Sequence, residues 1–463
     1  MIDLKNIEGI YFIGIGGIGM SALARYFAQG GYAVAGYDRN ESGITRSLAD
    51  VGCSVTYDDN ADLLPEMFRD IKHTGRVIVV YTPAIPAENN ILSFFRNNNF
   101  RVYKRSEILG EISKHTNTLA VAGTHGKTTV STMIAHLLKQ SKVDCSAFLG
   151  GMSKNYDSNL ILGNSPFTVM EADEFDRSFH RLEPAMAVVT ALDADHLEIY
   201  GDRENMIKAY NEFLAKTKKG GIIVVNSRIM NRIVVPEGIS CFTYSMNEKA
   251  DYQAFNIVRN DEGWTFDLQT PVRIIKAIRF PFPGRINIEN LTAAIAIAVN
   301  CGVEDDELRK GAVLFQGVRR RFDIRINKPG LTFIDDYAHH PEEIRACIRS
   351  VREYFSGRRI TGIFQPHLFT RTRDHAQGFA EILDELDEPI LLPIYPAREK
   401  PIEGVTSAMI FERMKSPARK MFRKADIPEK LDVNEIDVLL TIGAGDIDTL
   451  VKPIEKKLLE TRS

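Results

Sequence analysis

The sequence predicts an α/β protein of three domains, and three observations carry that expectation. The chain has 463 residues, more than a single hydrophobic core accommodates. Two separate glycine-rich loops each stand between an apolar strand run and a helical pattern. Beyond residue 322, further apolar runs alternate with helical patterns up to the C-terminus.

The first domain is expected over residues 1–113. An apolar run, Ile10 to Ile13, leads into Gly14-Ile15-Gly16-Gly17-Ile18-Gly19, and a helix follows with Ala22, Leu23, Tyr26 and Phe27 on one side. A second strand, residues 33–37, ends at Asp38, about 20 residues past the glycines, which is the dinucleotide fingerprint of a Rossmann βαβ unit. Taken alone the fingerprint suggests NAD; its plain alternative is a helix packed closely on a strand. A later strand, residues 77–81, ends in Thr82-Pro83-Ala84, and the polar stretch from Lys104 to Asn117 leads away to the next domain.

The central domain is expected over residues 114–322. Leu119, Ala120 and Val121 read as a strand, Val130, Met133, Ile134, Leu137 and Leu138 as a helix, and Gly123-Thr124-His125-Gly126-Lys127-Thr128-Thr129 lies between them. That order is the one a nucleoside-triphosphate site requires. Backbone N–H groups turn inward at the glycines, the helix N-terminus adds partial positive charge, Lys127 can reach the β and γ phosphates, and the Thr128 hydroxyl can ligate Mg²⁺. Val121 stands where the first glycine of the usual motif would be, so the loop is a shortened variant; an ordinary turn and N-cap is the alternative. Further strands are read at 168–170, 187–190 and 221–226. Residues 250–282 alternate and carry Pro271 and Pro281, as an antiparallel insertion would, and an alanine-rich helix is expected after Asn290. Arg319-Arg320-Arg321-Phe322 closes the region.

Two acidic segments follow strands here. Glu171-Ala172-Asp173-Glu174-Phe175-Asp176 can meet a metal held by the phosphate loop, or can be the solvated start of a helix. Asp193-Ala194-Asp195-His196-Leu197-Glu198 places one imidazole at a strand end, and imidazole is a soft partner for Mg²⁺, so the chemistry alone leaves a structural role for His196 open.

The third domain, residues 323–463, begins with a strand ending in Asp335-Asp336-Tyr337-Ala338-His339-His340-Pro341. Strands at 360–364, 389–393 and 438–442 follow. Phe364-Gln365-Pro366-His367 and Arg371-Thr372-Arg373-Asp374 put a histidine beside two guanidinium forks, which suits a carboxylate or phosphate ligand; an exposed charged loop is the alternative.

Composition narrows the partners. Hydrophobic residues make up 44%, charged residues 26%, and the net charge is −3, a soluble globular balance that excludes a polybasic or nucleic-acid-binding protein. The five cysteines are scattered without a C-x-x-C pair, as free thiols in a reducing compartment would be, and imply neither disulfide nor zinc. A polar opening without a signal-peptide pattern, and no run of ~20 apolar residues, predict a cytoplasmic protein with no membrane association.

Two phosphate loops in separate domains must be explained together. A nicotinamide-dependent dehydrogenase uses the first and has no use for the second, and a nucleotide-gated binding protein would turn over ATP without needing two further substrates. An ATP-dependent enzyme acting on a nucleotide-linked substrate uses both.

The shortened loop at 123–129, the Glu171 to Glu174 and Asp195-His196 segments, Asn290, Arg320-Arg321-Phe322 and Asp335 to Pro341 resemble the Mur ligases of peptidoglycan synthesis over nearly the entire chain. Within that family, residues 14–21 and 364–373 are most similar to the alanine-adding branch, with the branch that recycles a murein tripeptide next. The resemblance implies a Rossmann-like domain for the UDP-sugar, a central P-loop ATPase domain, and a C-terminal Rossmann-like lid that helps bind the amino acid. ATP and Mg²⁺ are the implied cofactors, UDP-N-acetylmuramate and L-alanine the implied partners, and a monomer or weak homodimer the implied state. Carried across by motif, Gly123, Thr124, His125, Gly126, Lys127, Thr128, Thr129, Asn290, Arg321 and Asp336 hold ATP. Thr128, Glu171 and His196 surround the metal. Gly16, Gly17, Ile18, Gly19, Met20, Asp38, Thr82, His125, Tyr337 and Arg373 meet the substrates, and Lys127, His196, His367 and Arg371 are the catalytic set. Two positions depart from relatives: Tyr210 stands where ligases of the later amino acids carry a carbamylated lysine, so no carbamate is expected, and Leu368 follows His367 where some relatives have a basic residue.

Overall fold

The computed structural model describes residues 6–193, 197–260, 262–397 and 399–461. The chain forms two compact units, one running to Pro281 and including Ile288–Gln316, the other comprising Phe282–Asn287 and the chain from Gly317 onward.

The first unit holds two sheets. Strands β1 (Gly9–Ile13), β2 (Ala33–Tyr37), β3 (Ser54–Thr56), β4 (Val77–Tyr81) and β5 (Arg101–Lys104) form a parallel sheet in the order β3-β2-β1-β4-β5. Strand β1 is buried along its length because helices cover both faces, which explains its unbroken apolar run. Strand order reverses at β1, so the loop that follows it opens at the topological switch point, where ligands of such sheets bind.

The second sheet contains β6 (Asn117–Ala122), β7 (Ser146–Ser153), β8 (Ser158–Ile161), β9 (Phe167–Glu171), β10 (Met186–Val189), β11 (Ile222–Asn226), β12 (Ser240–Ser245), β13 (Tyr252–Asn260), β14 (Gly263–Gln269) and β15 (Ile274–Phe280). Its order is β15-β14-β13-β12-β11-β10-β6-β9-β7-β8. The β6 strand lies between β9 and β10, parallel to both, so the loop it feeds sits beside the carboxyl ends of both neighbours. The β13–β15 segment is antiparallel, as the alternation predicts: Ile275 and Ile278 turn inward while Lys276 and Arg279 face water. The two sheets are tied through buried Asn159 on β8, whose Nδ2 donates to the Ser21 hydroxyl at 3.0 Å and to the Ile18 carbonyl at 2.5 Å.

The alanine-rich helix differs from the expectation. It spans Ile286–Asn300, so Asn290 lies inside it rather than ahead of it. Pro283 and Gly284, the latter at φ +82°, stop the preceding strand and let the helix begin earlier than the alanine pattern suggests.

The second unit has β16 (Asp323–Lys328), β17 (Leu331–Asp336), β18 (Ile360–Phe364), β19 (Glu388–Leu391), β20 (Lys420–Met421) and β21 (Val438–Ile442), in the order β16-β17-β21-β18-β19-β20. Only the β16–β17 pair is antiparallel. Helix Pro341–Tyr354 starts on Pro341, whose fixed φ and missing N–H suit a first turn. Phe282 belongs to this unit: a Cβ on Gly317, at φ +94°, would lie 2.5 Å from the Phe282 ring, so ring and backbone are in direct contact. Among the described residues no helix is long and apolar enough to cross a membrane, and all five cysteines are free thiols.

Candidate active site

The phosphate loop is built as its sequence requires. Gly123 (φ +134°) and Gly126 (φ +81°) take backbone conformations that L side chains rarely adopt, and Gly126 caps helix Lys127–Lys139. A Cβ at Gly123 would collide with the Thr190 hydroxyl from the β10 end, and a Cβ at Gly126 would come 3.1 Å from the Asn290 amide oxygen. Asn290 therefore faces the loop despite its shifted position in the helix. Thr124 accepts the Asp193 N–H at 3.1 Å, and His125 Nε2 lies 3.6 Å from the Asp193 carboxylate. Thr128, 5% exposed, occupies the first turn of the helix beside Lys127.

Lys127 Nζ donates at 2.7 Å to the Gly123 carbonyl and at 2.7 Å to Glu174 Oε1. Burial alone would lower the lysine pKa, but Glu174, then Glu171 and Asp173, outweigh it and hold the ammonium above its ordinary value. The Lys127 ammonium is thus charged and held in place at the loop. Glu171 lies at the end of β9 against Gly150, where a Cβ would stand 2.2 Å from its Oε2. A hydroxyl and a carboxylate beside a phosphate loop are hard oxygen donors of the kind Mg²⁺ takes, with phosphate oxygens and water completing its shell. Among the described residues no group of three acidic, histidine or cysteine side chains is placed to hold a metal ion. His196, expected at the metal and in catalysis, lies outside the described residues, as do Ala194 and Asp195.

At the first loop, Gly14 takes φ +86° and its backbone meets the Thr82 methyl. The Asp38 carboxylate accepts the Gly16 N–H at 2.8 Å, and a Cβ on Gly16 would approach both Asp38 and Thr45 below 3.0 Å. Gly17 caps helix Ile18–Gln29. The Met20 side chain is buried in the core, which leaves its backbone as the part that can meet a ligand. Ile18, Gly19, Arg105, Gly150, Glu171 and Asp173 line one pocket, so the first loop opens toward the acidic segment of the second sheet.

In the second unit, the β17 end gathers Asp336, Tyr337 and His339. Both Asp336 oxygens accept backbone N–H groups, from Phe322 at 2.7 Å and Ala338 at 2.8 Å; burial raises its pKa, with Arg321 opposing. Asp335 is likewise raised by burial, to about 6, against Arg320. The guanidinium carbons of Arg320 and Arg321 each lie 5.0 Å from the Tyr337 ring centre. Burial lowers His339 to about 4, with Glu343 opposing and Arg371 adding to the fall, so this ring is neutral at pH 7. Arg371 Nη1 lies 3.4 Å from His367 Nδ1, and the His367 ring stacks on Tyr395 at 5.8 Å. Arg373 is half-exposed and pairs with Asp374 at 2.7 Å.

Several contacts here escape sequence reading. Glu174 as partner of Lys127, Thr190 as the wall behind Gly123, and Arg105 over Gly19 join positions far apart in the chain, and no local spacing announces them. Tyr395 has a weak signal, an aromatic just past the β19 strand. Tyr210 is fully buried in helix Arg203–Leu214, its ring edge-on to Phe179 at 5.1 Å.

Comparison with known proteins agrees with this geometry. Residues 9–117 match the Mur ligase family catalytic domain, 121–298 the Mur ligase middle domain, and 320–445 the Mur ligase glutamate ligase domain. The chain is 48% identical to the UDP-N-acetylmuramate–L-alanine ligase of Parabacteroides distasonis, over 99% of this chain and 98% of that protein. It is 44% identical to the ligase of the same name from Flavobacterium johnsoniae, over 99% of this chain and 100% of that one. The crystal structure of a UDP-N-acetylmuramate–alanine ligase from Thermotoga maritima superposes with a TM-score of 0.81 at 26% identity, covering 98% of this chain and 99% of that one. A murein peptide ligase from Psychrobacter arcticus, at 19% identity over 97% of this chain and 98% of that one, shares the fold with a TM-score of 0.72. Two glycine loops opening on one acidic wall, three sheets in this order and a family match along almost the whole length give one answer: the chain belongs to the Mur ligase family.

Proposed function

We propose that the protein is an ATP-dependent ligase that joins L-alanine to the lactyl carboxylate of UDP-N-acetylmuramate in peptidoglycan precursor synthesis. One observation carries the reading: two phosphate-type loops of one unit both reach the acidic segment 171–174, the first through the pocket that Gly19 shares with Glu171 and Asp173 and the second through the Lys127–Glu174 pair, in a chain 48% identical over nearly its full length to a ligase of that name. The first loop takes the UDP-sugar, the second ATP, and the Tyr337–His339–His367–Arg371 cluster the amino acid.

A carboxylate is a poor acylating agent. Transfer of the γ-phosphoryl group to a lactyl oxygen releases ADP and yields an acyl phosphate; the alanine amine then attacks the acyl carbon, and phosphate leaves with the former carboxylate oxygen. Lys127, charged and held between the Gly123 carbonyl and Glu174, meets the phosphoryl charge without reorganising. Thr128 and Glu171, with His196, would hold Mg²⁺, which supplies charge neutralisation at the phosphates. Arg371 offers a fork for the amino-acid carboxylate.

The test is phosphate release from ATP with UDP-N-acetylmuramate and a panel of amino acids. Release should require both substrates and be fastest with L-alanine. Equal release without either substrate would sink the ligase reading, and a preference for a murein tripeptide would move the protein to the recycling branch.

A further inference from the structure

We infer that Arg105 is a positioning residue of this ligase, clamping the diphosphate of the UDP-sugar against the first glycine loop, and that Asp173 holds its charge while the site is empty. The inference rests on the proposed function above and names a side chain for a loop that has no basic residue of its own between Gly14 and Ser21.

Arg105 follows directly on β5, at the carboxyl edge of the first sheet, where ligands of such sheets sit. Its guanidinium lies on the backbone of Gly19: an added Cβ there would be 1.9 Å from Nη1 and 2.9 Å from the central carbon. The third glycine of such a loop ordinarily serves close helix–sheet packing, but here it makes room for a cation. Asp38, the charged group bonded to the loop, accepts the Gly16 N–H and brings negative charge, so a bound diphosphate needs a counter-charge from elsewhere. Arg105 is three-quarters buried and lines the pocket with Gly19, Glu171 and Asp173. Its contact to Asp173 is long, 3.4 Å, and that carboxylate is 42% exposed. A pair of that length and exposure is weak and readily exchanged for the shorter, forked bonds that phosphate oxygens offer a guanidinium.

The two side chains then act with opposite sign. Calorimetry on the full chain should measure UDP, which has the diphosphate and no carboxylate, alongside UDP-N-acetylmuramate and ATP. Arg105→Gln should weaken UDP and UDP-N-acetylmuramate by the same factor, about tenfold to a hundredfold, with partial recovery in Arg105→Lys and ATP affinity held within about twofold. Asp173→Asn, which keeps the oxygen that accepts the Phe175 N–H, should tighten UDP by roughly twofold to fivefold. Simple structural damage would not tighten binding. Loss confined to UDP-N-acetylmuramate would assign the guanidinium to the lactyl carboxylate and overturn the inference, as would unchanged UDP affinity in Arg105→Gln, an equal loss of ATP affinity, or weaker UDP binding in Asp173→Asn. Failure of the wild-type protein to bind UDP-N-acetylmuramate would instead overturn the ligase reading.

Discussion

Lys127 and Glu174 form a 2.7 Å ion pair in which the carboxylate is only 2% exposed, so the lysine assigned to phosphate under the proposed function neutralises a buried charge of the resting protein. The proposed function therefore couples turnover and stability at one side chain.

Lys127→Ala is expected to abolish ligation and also to lower stability by about 3–5 kcal/mol, because it leaves Glu174 buried without its cation. Lys127→Ala combined with Glu174→Gln should recover much of the stability and none of the turnover, while UDP-sugar affinity is kept. Denaturant melts with steady-state kinetics check both; near-normal ligation by either variant refutes the phosphate-loop assignment.

Gly16→Val should raise the Michaelis constant for the UDP-sugar and leave that for ATP within about twofold, since the new side chain displaces Asp38 and Thr45 from the first loop and touches nothing of the second. The protein should show no calorimetric signal with NAD. Comparable damage to ATP affinity would mean that the loops do not serve separate substrates.

If carboxylate activation comes first, ¹⁸O placed in the muramyl carboxylate must appear in the released phosphate. Arg371→Ala and His367→Ala should slow amine attack more than carboxylate phosphorylation, given the 3.4 Å contact between these side chains. Single-turnover measurement of the label and of ADP separates the steps; unlabelled phosphate during authentic ligation excludes the acyl phosphate.

His136 is buried and held at about pKa 4 by desolvation, with the Gly311 carbonyl bond opposing, against an ordinary value of 6.5. The folded state thus refuses a proton that the unfolded chain accepts below pH 6.5. Stability should be unaffected by this group above pH 6.5 and fall as pH drops from 6.5 to 4, by on the order of 3 kcal/mol. His136→Gln should be less stable at pH 7, having lost its bonds to Tyr156 and Gly311, but its stability should vary less across that window. Parallel urea-unfolding curves for the two proteins would contradict this.

Strands such as β4, β18 and β21 are legible in the sequence because their apolar runs are bounded by turns and buried on both faces. Others are not. Strand β16, Asp-Ile-Arg-Ile-Asn-Lys, is a sheet edge with polar residues at alternate positions, β7 carries two glycines, and β3 and β20 have only three and two residues. The two loops could be read because local backbone demands fix their glycines. The alanine pattern puts the start of the Asn290 helix late because its alanines outweigh the Pro283–Gly284 stop. Ion pairs escaped altogether: Lys127 with Glu174 and Arg105 with Asp173 span 47 and 68 residues, and only the packing of strands β6, β9 and β5 brings them together.

The contact of Phe282 with Gly317 bears on how the protein can be taken apart. A fragment beginning at residue 317 would carry all six strands of the last sheet, yet it would leave behind the aromatic that lies against its first residue, Gly317. Such a fragment should expose to water the Gly317 backbone that the Phe282 ring covers in the whole chain. A version carrying residues 282–287 ahead of Gly317 on a short flexible linker restores that cover, so the smallest autonomous form of this unit is written in two pieces of the chain rather than one.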